Sequence, residues 1–338
     1  MNRIAVALAL ALLAAWSLSV VQAATYDFEP TEFHVKLSAA AAPALHIEPG
    51  DTVRTTTIDA GGIDRAGQRR SAPPNPLTGP FFVKGAAPGD TLVVHIKRLR
   101  LNRDTAISKN QLEEHTLDPA YVETRPTYRR KAEKFEDVYE TWLLDRKNMI
   151  ARLEKPSERL RAFTVKLEPM LGSIGVAPPN DEAAWAYDVG DFGGNLDYNR
   201  IKEGAVLYLP VFNAGALLFL GDAHALQANG EIPGTGLETS VDVEFEVGLL
   251  KGRSLGQPYA EDSATMMMSG IRKSFAEAFQ AATTGMARWL TETYGLDDAE
   301  LAFVMGTSID YDIAEVVSPH IHIVAKIPKE ILKQLPVR

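Results

Sequence analysis

The densest gathering of side chains able to move protons or hold a cation runs Gly221-Asp222-Ala223-His224-Ala225-Leu226-Gln227-Ala228-Asn229-Gly230-Glu231, directly after the apolar residues 217–220. A strand end that releases Asp, His and Glu into a glycine-relaxed loop sets reactive groups on a rigid support. Asp222 and His224 stand two apart, so on a continuing strand they share a face. Imidazole beside carboxylate can ligate a metal or carry protons, and a β-bulge with satisfied hydrogen bonds would give the same residues a purely structural use. Glu231 and Glu238 flank a second turn, Pro233-Gly234-Thr235-Gly236, and raise the local carboxylate density. Aspartate also meets paired glycines in Asp59-Ala60-Gly61-Gly62 and in Asp191-Phe192-Gly193-Gly194-Asn195-Leu196-Asp197. Their glycines allow close backbone approach to a ligand, or simply make loops.

The other histidines carry less. His320 and His322 alternate as on a strand, but no Glu follows at the spacing a cupin-type metal motif needs, so they read as structural or surface residues. His95, inside an apolar run, reads as a hydrogen-bonded core histidine. His34, His46 and His115 have no chemically suggestive neighbours.

Several hydrolytic routes fall away. The chain has no cysteine, which removes a thiolate nucleophile and any disulfide. It has no Gly-x-Ser-x-Gly elbow and no serine-rich glycine run, and Gly172-Ser173-Ile174-Gly175 lacks the required shape. Water activated by a metal is the route that remains.

The elements that must position these residues read mainly as strands. Pro49-Gly50-Asp51-Thr52-Val53 and Pro88-Gly89-Asp90-Thr91-Leu92 each combine a tight turn with the start of a β-rich run. Residues 92–96 are apolar except for His95, which predicts a strand covered on both faces. Strand patterning recurs at 205–212 and 216–220. It is clearest where Val241, Val243, Phe245 and Val247 alternate with Asp242, Glu244 and Glu246. Ala132, Phe135, Val138, Tyr139, Trp142, Leu143, Ile150 and Leu153 predict a helical insertion over about 131–153. Ile271, Phe275, Phe279, Ala282, Met286, Leu290 and Thr293 predict a helix over about 263–294, stopped by Gly295 and preceded by the core-filling run Met266-Met267-Met268. A last strand is expected at 321–327, halted by Pro328.

A chain of 338 residues, 46% apolar and 23% charged, can bury one double sandwich or two domains. The net charge of −9 excludes nucleic acid as a partner, and the run Arg129, Arg130, Lys131 sits among acids as a solvated helix face would. Residues 1–23 have the form of an export signal: Arg3, an apolar stretch at 4–13, and Val21-Gln22-Ala23 before the cleavage point. The expectation is a periplasmic or secreted protein with no membrane partner after cleavage, the alternative being an uncleaved anchor.

Six segments, in order, resemble the acetamidase/formamidase family: Thr57-Ile58-Asp59-Ala60-Gly61-Gly62, Asn75-Pro76-Leu77-Thr78-Gly79-Pro80-Phe81, Gly89-Asp90-Thr91-Leu92, Gly172-Ser173-Ile174-Gly175-Val176-Ala177-Pro178, Gly193-Gly194-Asn195-Leu196-Asp197 and Gly221-Asp222-Ala223-His224-Ala225. The resemblance implies a mainly β fold, a duplicated CUB-like β-sandwich with halves near 24–130 and 165–338. It also implies a homo-oligomer that hydrolyses small linear amides such as formamide or acetamide, or lactams, to carboxylate and ammonia. A divalent metal, zinc first and calcium second, is implied with it. On this basis Asp59, Asp222, His224 and Glu238 are the expected metal ligands. Glu231, His224 and Asp197 are the expected catalytic groups, and Asn195, Gly194 and Asn229 the expected substrate contacts. The sequence departs from the family at Ala228-Asn229-Gly230-Glu231, where the family usually reads Gly-Asp-Gly-Glu. That loss of a carboxylate motivates a rival reading, an exported non-catalytic binding protein that keeps the fold.

Overall fold

The two Pro-Gly-Asp-Thr turns are built alike and serve one strand. In the computed structural model of the chain, which describes residues 23–129 and 138–337, Gly50 and Gly89 take φ values of 97° and 91°. The Asp that follows each glycine closes its turn: Asp51 accepts the Glu48 N–H at 2.7 Å, and Asp90 accepts the Ala87 N–H at 2.9 Å. The strands they launch, Thr52–Thr56 and Thr91–Leu101, pair antiparallel with opposite edges of Val241–Leu250. The alternation expected there is observed, with Val241, Val243, Phe245 and Val247 buried and Asp242 exposed. Within residues 92–96, however, Val93 and His95 are half-buried, so this strand shows one covered face rather than two.

These strands belong to a nine-stranded sheet that continues through Val206–Pro210, Tyr259–Glu261, Thr265–Arg272 and Ile321–Pro328 to Asp310–Glu315. A second sheet is centred on Leu218–His224, which pairs with Met170–Val176, Glu238–Thr239 and Leu77–Val83. Strands from before residue 130 and after residue 165 mix within both sheets. Side chains from both sheets form one core: Val53, Val94, Ile96 and Phe245 from the first meet Phe81, Ile174, Leu218 and Leu220 from the second. Burial of each such side chain contributes about 1.5–3 kcal/mol. The Phe81 ring packs edge-on against Phe245 with centroids 5.2 Å apart.

Two expected helices are corrected. Of the insertion at 131–153, residues 131–137 lie outside the described residues, and the remainder forms the hairpin Tyr139–Asp145 and Ile150–Leu153. Its turn is held by Asp145 Oδ1, which accepts the N–H groups of Lys147 and Asn148, and Met149 adopts a φ of 53°. The hairpin extends the sheet from Thr105–Lys109, and Trp142 Nε1 donates to Ser108 Oγ at 2.9 Å. The apolar spacing that suggested a helix spans two strands joined by a polar turn. The other helix begins at Phe275, not near 263, because Thr265–Arg272 is a strand paired along its length with Ile321–Pro328. Ser274 caps the helix by accepting the Glu277 N–H, and Gly295 ends it at a φ of 72°. Ala282, Met286 and Leu290 are buried against Met266, Met268 and Ile323, whereas Phe275 and Phe279 are exposed. The methionine run fills core, as its type suggests.

The signal-like residues 1–22 lie outside the described residues. No helix of the described residues is long and apolar enough to cross a membrane.

Candidate active site

His224 ends the buried strand Leu218–His224, and register places it across from Glu238. Its Nε2 lies 3.2 Å from Glu238 Oε2, 3.7 Å from Asp222 Oδ1 and 3.8 Å from Asp197 Oδ1. All four residues are at most 3% exposed. The chain bends sharply to bring them together: Asp197, Asp222 and Glu231 take φ values of 40°, 49° and 44°, as does Asn75 at 47°. Left-handed backbone at non-glycine residues costs about 1–3 kcal/mol each and clusters where function over-determines it.

Each member of the group has one anchored polar atom and one bare one. Asp222 Oδ2 accepts Asn75 Nδ2 at 2.6 Å and Ser173 Oγ at 3.4 Å. Asp197 Oδ2 accepts from Asn195 Nδ2, and Asn195 Oδ1 is itself held by Ser173 Oγ at 2.6 Å. Glu238 Oε1 accepts the Gly236 N–H at 3.0 Å. On His224, Nδ1 meets Gln227 Oε1 at 2.8 Å, while Gln227 Nε2 donates to the Asp197 carbonyl at 2.5 Å. Because that amide nitrogen is committed to a carbonyl, Gln227 Oε1 acts as acceptor, so Nδ1 carries a proton and Nε2 is the nitrogen that faces inward, free to lend its lone pair once a cation takes the place of its proton. The four atoms left over, Asp197 Oδ1, Asp222 Oδ1, His224 Nε2 and Glu238 Oε2, are buried without a hydrogen-bond partner among the described residues. The three carboxylate oxygens each lie within 3.8 Å of His224 Nε2.

Such a cluster attracts positive charge. Burial alone would lower the His224 pKa, but the Glu238 and Asp222 carboxylates outweigh it and hold it well above its usual value. Burial, reinforced by neighbouring carboxylates, raises Asp197 and Glu231 well above the usual carboxyl range and Glu238 to about 7. Two overlapping sets, Asp197-His224-Glu231 and Asp222-His224-Glu238, have ligand atoms mutually within 4.8 Å. One imidazole with several carboxylates, each oriented by a second hydrogen bond, fits a divalent cation such as zinc.

Two glycines clear the space. A Cβ on Gly236 would stand 2.5 Å from His224 Nδ1, and one on Gly172 would stand 2.5 Å from Asp197 Oδ1. These glycines, with Asn75, Ser173 and Gln227, belong to the site although sequence reasoning did not single them out for it. Asn75, Gly172 and Ser173 do fall in segments that resemble the family, and Gln227 follows His224 by three residues.

Three expected site residues stand apart from the cluster. Asp59 lines the same cavity but is outside both candidate ligand sets: its Oδ1 accepts the Ile63 N–H at 2.8 Å and its Oδ2 accepts Arg103 Nη2 at 2.7 Å. Gly194 does not line the cavity, and its missing Cβ leaves room for the Asp188 carbonyl, which the built atom would approach to 2.4 Å. Asn229 is exposed, accepts from Asn199 Nδ2 at 2.8 Å and lines a separate cavity with His115 and Ile232. The carboxylate lost at position 229 therefore lies outside the cluster. Asp197, Asn195, Asp222, Glu231 and Glu238 all line one open cavity of about 890 Å³. His322, buried between the Leu196 carbonyl at 2.7 Å and Ser269 Oγ at 2.9 Å, is structural.

The molecule is thus a mainly β protein with a preorganised carboxylate–imidazole centre whose carboxylates line a ligand-sized cleft. The model of the Acetamidase/Formamidase family matches residues 180–334, which hold all five clustered residues. A formamidase of Methylophilus methylotrophus is 25% identical over 247 residues, a match spanning 61% of each chain. The crystal structure of a predicted acetamidase/formamidase from the thermophile Thermoanaerobacter tengcongensis has a TM-score of 0.77 at 26% identity, covering 94% of this chain and all of that one. An acetamidase from Yersinia enterocolitica has a TM-score of 0.76 at 26% identity over 92% of this chain and 94% of its own. Over these residues the chain resembles the acetamidase/formamidase family.

Proposed function

We propose that the chain hydrolyses linear amides to a carboxylate and ammonia. The observation that carries this reading is the gathering of three bare, buried carboxylate oxygens around His224 Nε2, beside a fourth acid, Glu231, that shares a possible ligand set with Asp197 and His224. His224 Nε2, Asp222 Oδ1, Glu238 Oε2 and Asp197 Oδ1 would hold a divalent cation, zinc in preference to calcium given the imidazole. When bound, it supplies Lewis-acid polarisation of a carbonyl and water acidified to a pKa of about 7.

The chain's own groups do the rest. Asn195 and Asn75 fix the Asp197 and Asp222 carboxylates, and Gln227 fixes the imidazole, so no reorganisation is needed as charge develops. Glu231 is the proton carrier: it takes a proton from the attacking water as the C–O bond forms and delivers it to the nitrogen as the C–N bond breaks. Burial holds its pKa well above the usual carboxyl range, which makes the carboxylate a stronger base for the proton it takes up.

The rival reading of a non-catalytic binding protein rests on Asn229, which stands outside the cluster. The experiment is ammonia release from a panel of amides, with elemental analysis of the protein before and after chelation. Turnover lost with the metal and restored by zinc supports the reading; turnover that survives exhaustive metal removal discards the metal but keeps the amidase.

We propose export as well. Ala24, the first residue after the expected cleavage point, donates its N–H to Asp51 Oδ1 at 2.7 Å. Cleavage after Ala23 would turn that N–H into an ammonium paired with a buried carboxylate. Amino-terminal sequencing of the protein from a periplasmic extract should begin at Ala24.

A further inference from the structure

The cavity above the carboxylate–imidazole centre is much larger than a formamide- or acetamide-sized ligand requires. Its volume of about 890 Å³ lies in the range of about 300–1,000 Å³ that encloses drug-sized ligands. Away from the acidic floor its walls are mostly apolar or aromatic, with Ile63, Pro73, Pro74, Tyr139 and Tyr187 among the lining side chains. Tyr187 is held as a flat face. Its ring stacks on Trp185 at 6.0 Å with an interplanar angle of 7°, and Lys36 Nζ sits 4.1 Å over the far partner of that stack. Both rings remain about 40% exposed, an aromatic pair presented at a cavity wall rather than packed in a core.

Two of the three lining cations are neutralised within the wall. Arg103 is paired with Asp59 at 2.7 Å and Lys109 with Glu113 at 2.5 Å, while Arg69 is exposed and donates to the Gly61 carbonyl.

From the cavity's size and its aromatic wall, we infer that the substrate is an amide whose acyl group carries a ring, of the phenylacetamide type. The amide lies at the His224 cluster and the ring against Tyr187. This rests on the amidase reading and names its substrate class. A pocket gains about 10–200-fold in kcat/KM for each methylene it accommodates, so a whole ring should separate the two classes by at least about 100-fold.

The test compares kcat/KM for phenylacetamide, acetamide and formamide with the zinc-loaded protein, and measures calorimetric binding of phenylacetamide in parallel. Phenylacetamide preferred by about 100-fold or more, through a lower KM, is the expected result. Tyr187→Ala should reduce the ratio of phenylacetamide to acetamide kcat/KM at least about tenfold, with Tyr187→Phe restoring it, since stacking needs the ring and not the hydroxyl. Thr141→Trp, which narrows the cavity, should reduce the same ratio, with an unchanged circular dichroism spectrum confirming the fold. Acetamide or formamide turned over as well as phenylacetamide overturns this inference and leaves the amidase reading intact. Tight phenylacetamide binding with no amide hydrolysed overturns the amidase reading and keeps the ring site; neither binding nor hydrolysis overturns both.

Discussion

Gln227 offers a sharp test of how the centre is organised, because it touches neither the cavity nor the converging atoms, yet decides which histidine nitrogen is bare. In Gln227→Met the Nδ1–H of His224 loses its acceptor at 2.8 Å and the Asp197 carbonyl loses its donor at 2.5 Å, both in a buried setting. A buried polar group left unpaired costs about 1–3 kcal/mol, so with two such groups a stability loss of roughly 2–6 kcal/mol is expected in urea unfolding. Freed from Gln227, the imidazole can turn or change tautomer, and loss of such an orienting partner typically lowers metal affinity about 10–100-fold. Zinc affinity measured by competition with a chromophoric chelator should therefore fall by about that factor, at a pH and urea concentration where the variant remains folded. A variant that loses stability but binds zinc within about twofold of the wild type would refute the assignment of Nε2 as the inward-facing nitrogen.

Further outcomes follow from the same geometry. Gly236→Ala places a methyl 2.5 Å from His224 Nδ1 and should remove zinc binding while the main core stays folded, as read by zinc titration and circular dichroism. Glu231→Gln should lower kcat by about 10²–10⁴-fold, the usual worth of a general acid–base, with bound metal retained by elemental analysis. Asn229→Asp, which restores the usual family residue at an exposed site outside the cluster, should change kcat/KM less than about twofold. His322 is held down to about 4 by burial. Its neutral form is favoured in the folded state, so its contribution is complete above the unfolded value of about 6.5 and is lost as pH falls toward 4, by up to about 3 kcal/mol. Glu315, raised to about 7 chiefly by burial, acts in the opposite sense: its contribution is complete below about 4.5 and is lost as pH rises through 7. Asp197, Glu231, Glu238 and His224, all raised, act in the same sense as Glu315, so wild-type stability falls as pH rises through the neutral range, and the difference in slope between wild type and His322→Gln, measured by urea unfolding from pH 4 to 7, isolates the histidine.

Much of the centre was legible because it is local. Asp222 and His224 stand on one strand, Glu231 and Glu238 follow within a short loop, and Asp197 ends a glycine turn, so type and density along the chain already marked them. What could not be read were partnerships formed across the fold. Asp59 resembles Asp222 in its company of glycines, but Arg103, forty-four positions away, claims its carboxylate. Asn75 reaches Asp222 from 147 positions away. Among glycines, only packing separates Gly172 and Gly236, which make room for the site, from Gly194, which makes room for a neighbouring backbone. The strands with strict alternation were legible for the same local reason. The hairpin at Tyr139–Leu153 was not, because tertiary pairing with Thr105–Lys109 overrides a spacing that also fits a helix. The helix expected from near 263 was extended too far because Thr265–Arg272 continues the apolar pattern as a strand.

Everything proposed for catalysis depends on four bare atoms around His224 forming a cation site at the floor of the cleft. The most direct measurement is anomalous scattering from a crystal of the zinc-loaded protein, collected on either side of the zinc absorption edge. One peak should lie about 2.0–2.1 Å from His224 Nε2 and within bonding reach of Asp222, Glu238 and Asp197. A zinc-loaded crystal with no peak there, or with its peak elsewhere in the cavity, would contradict it.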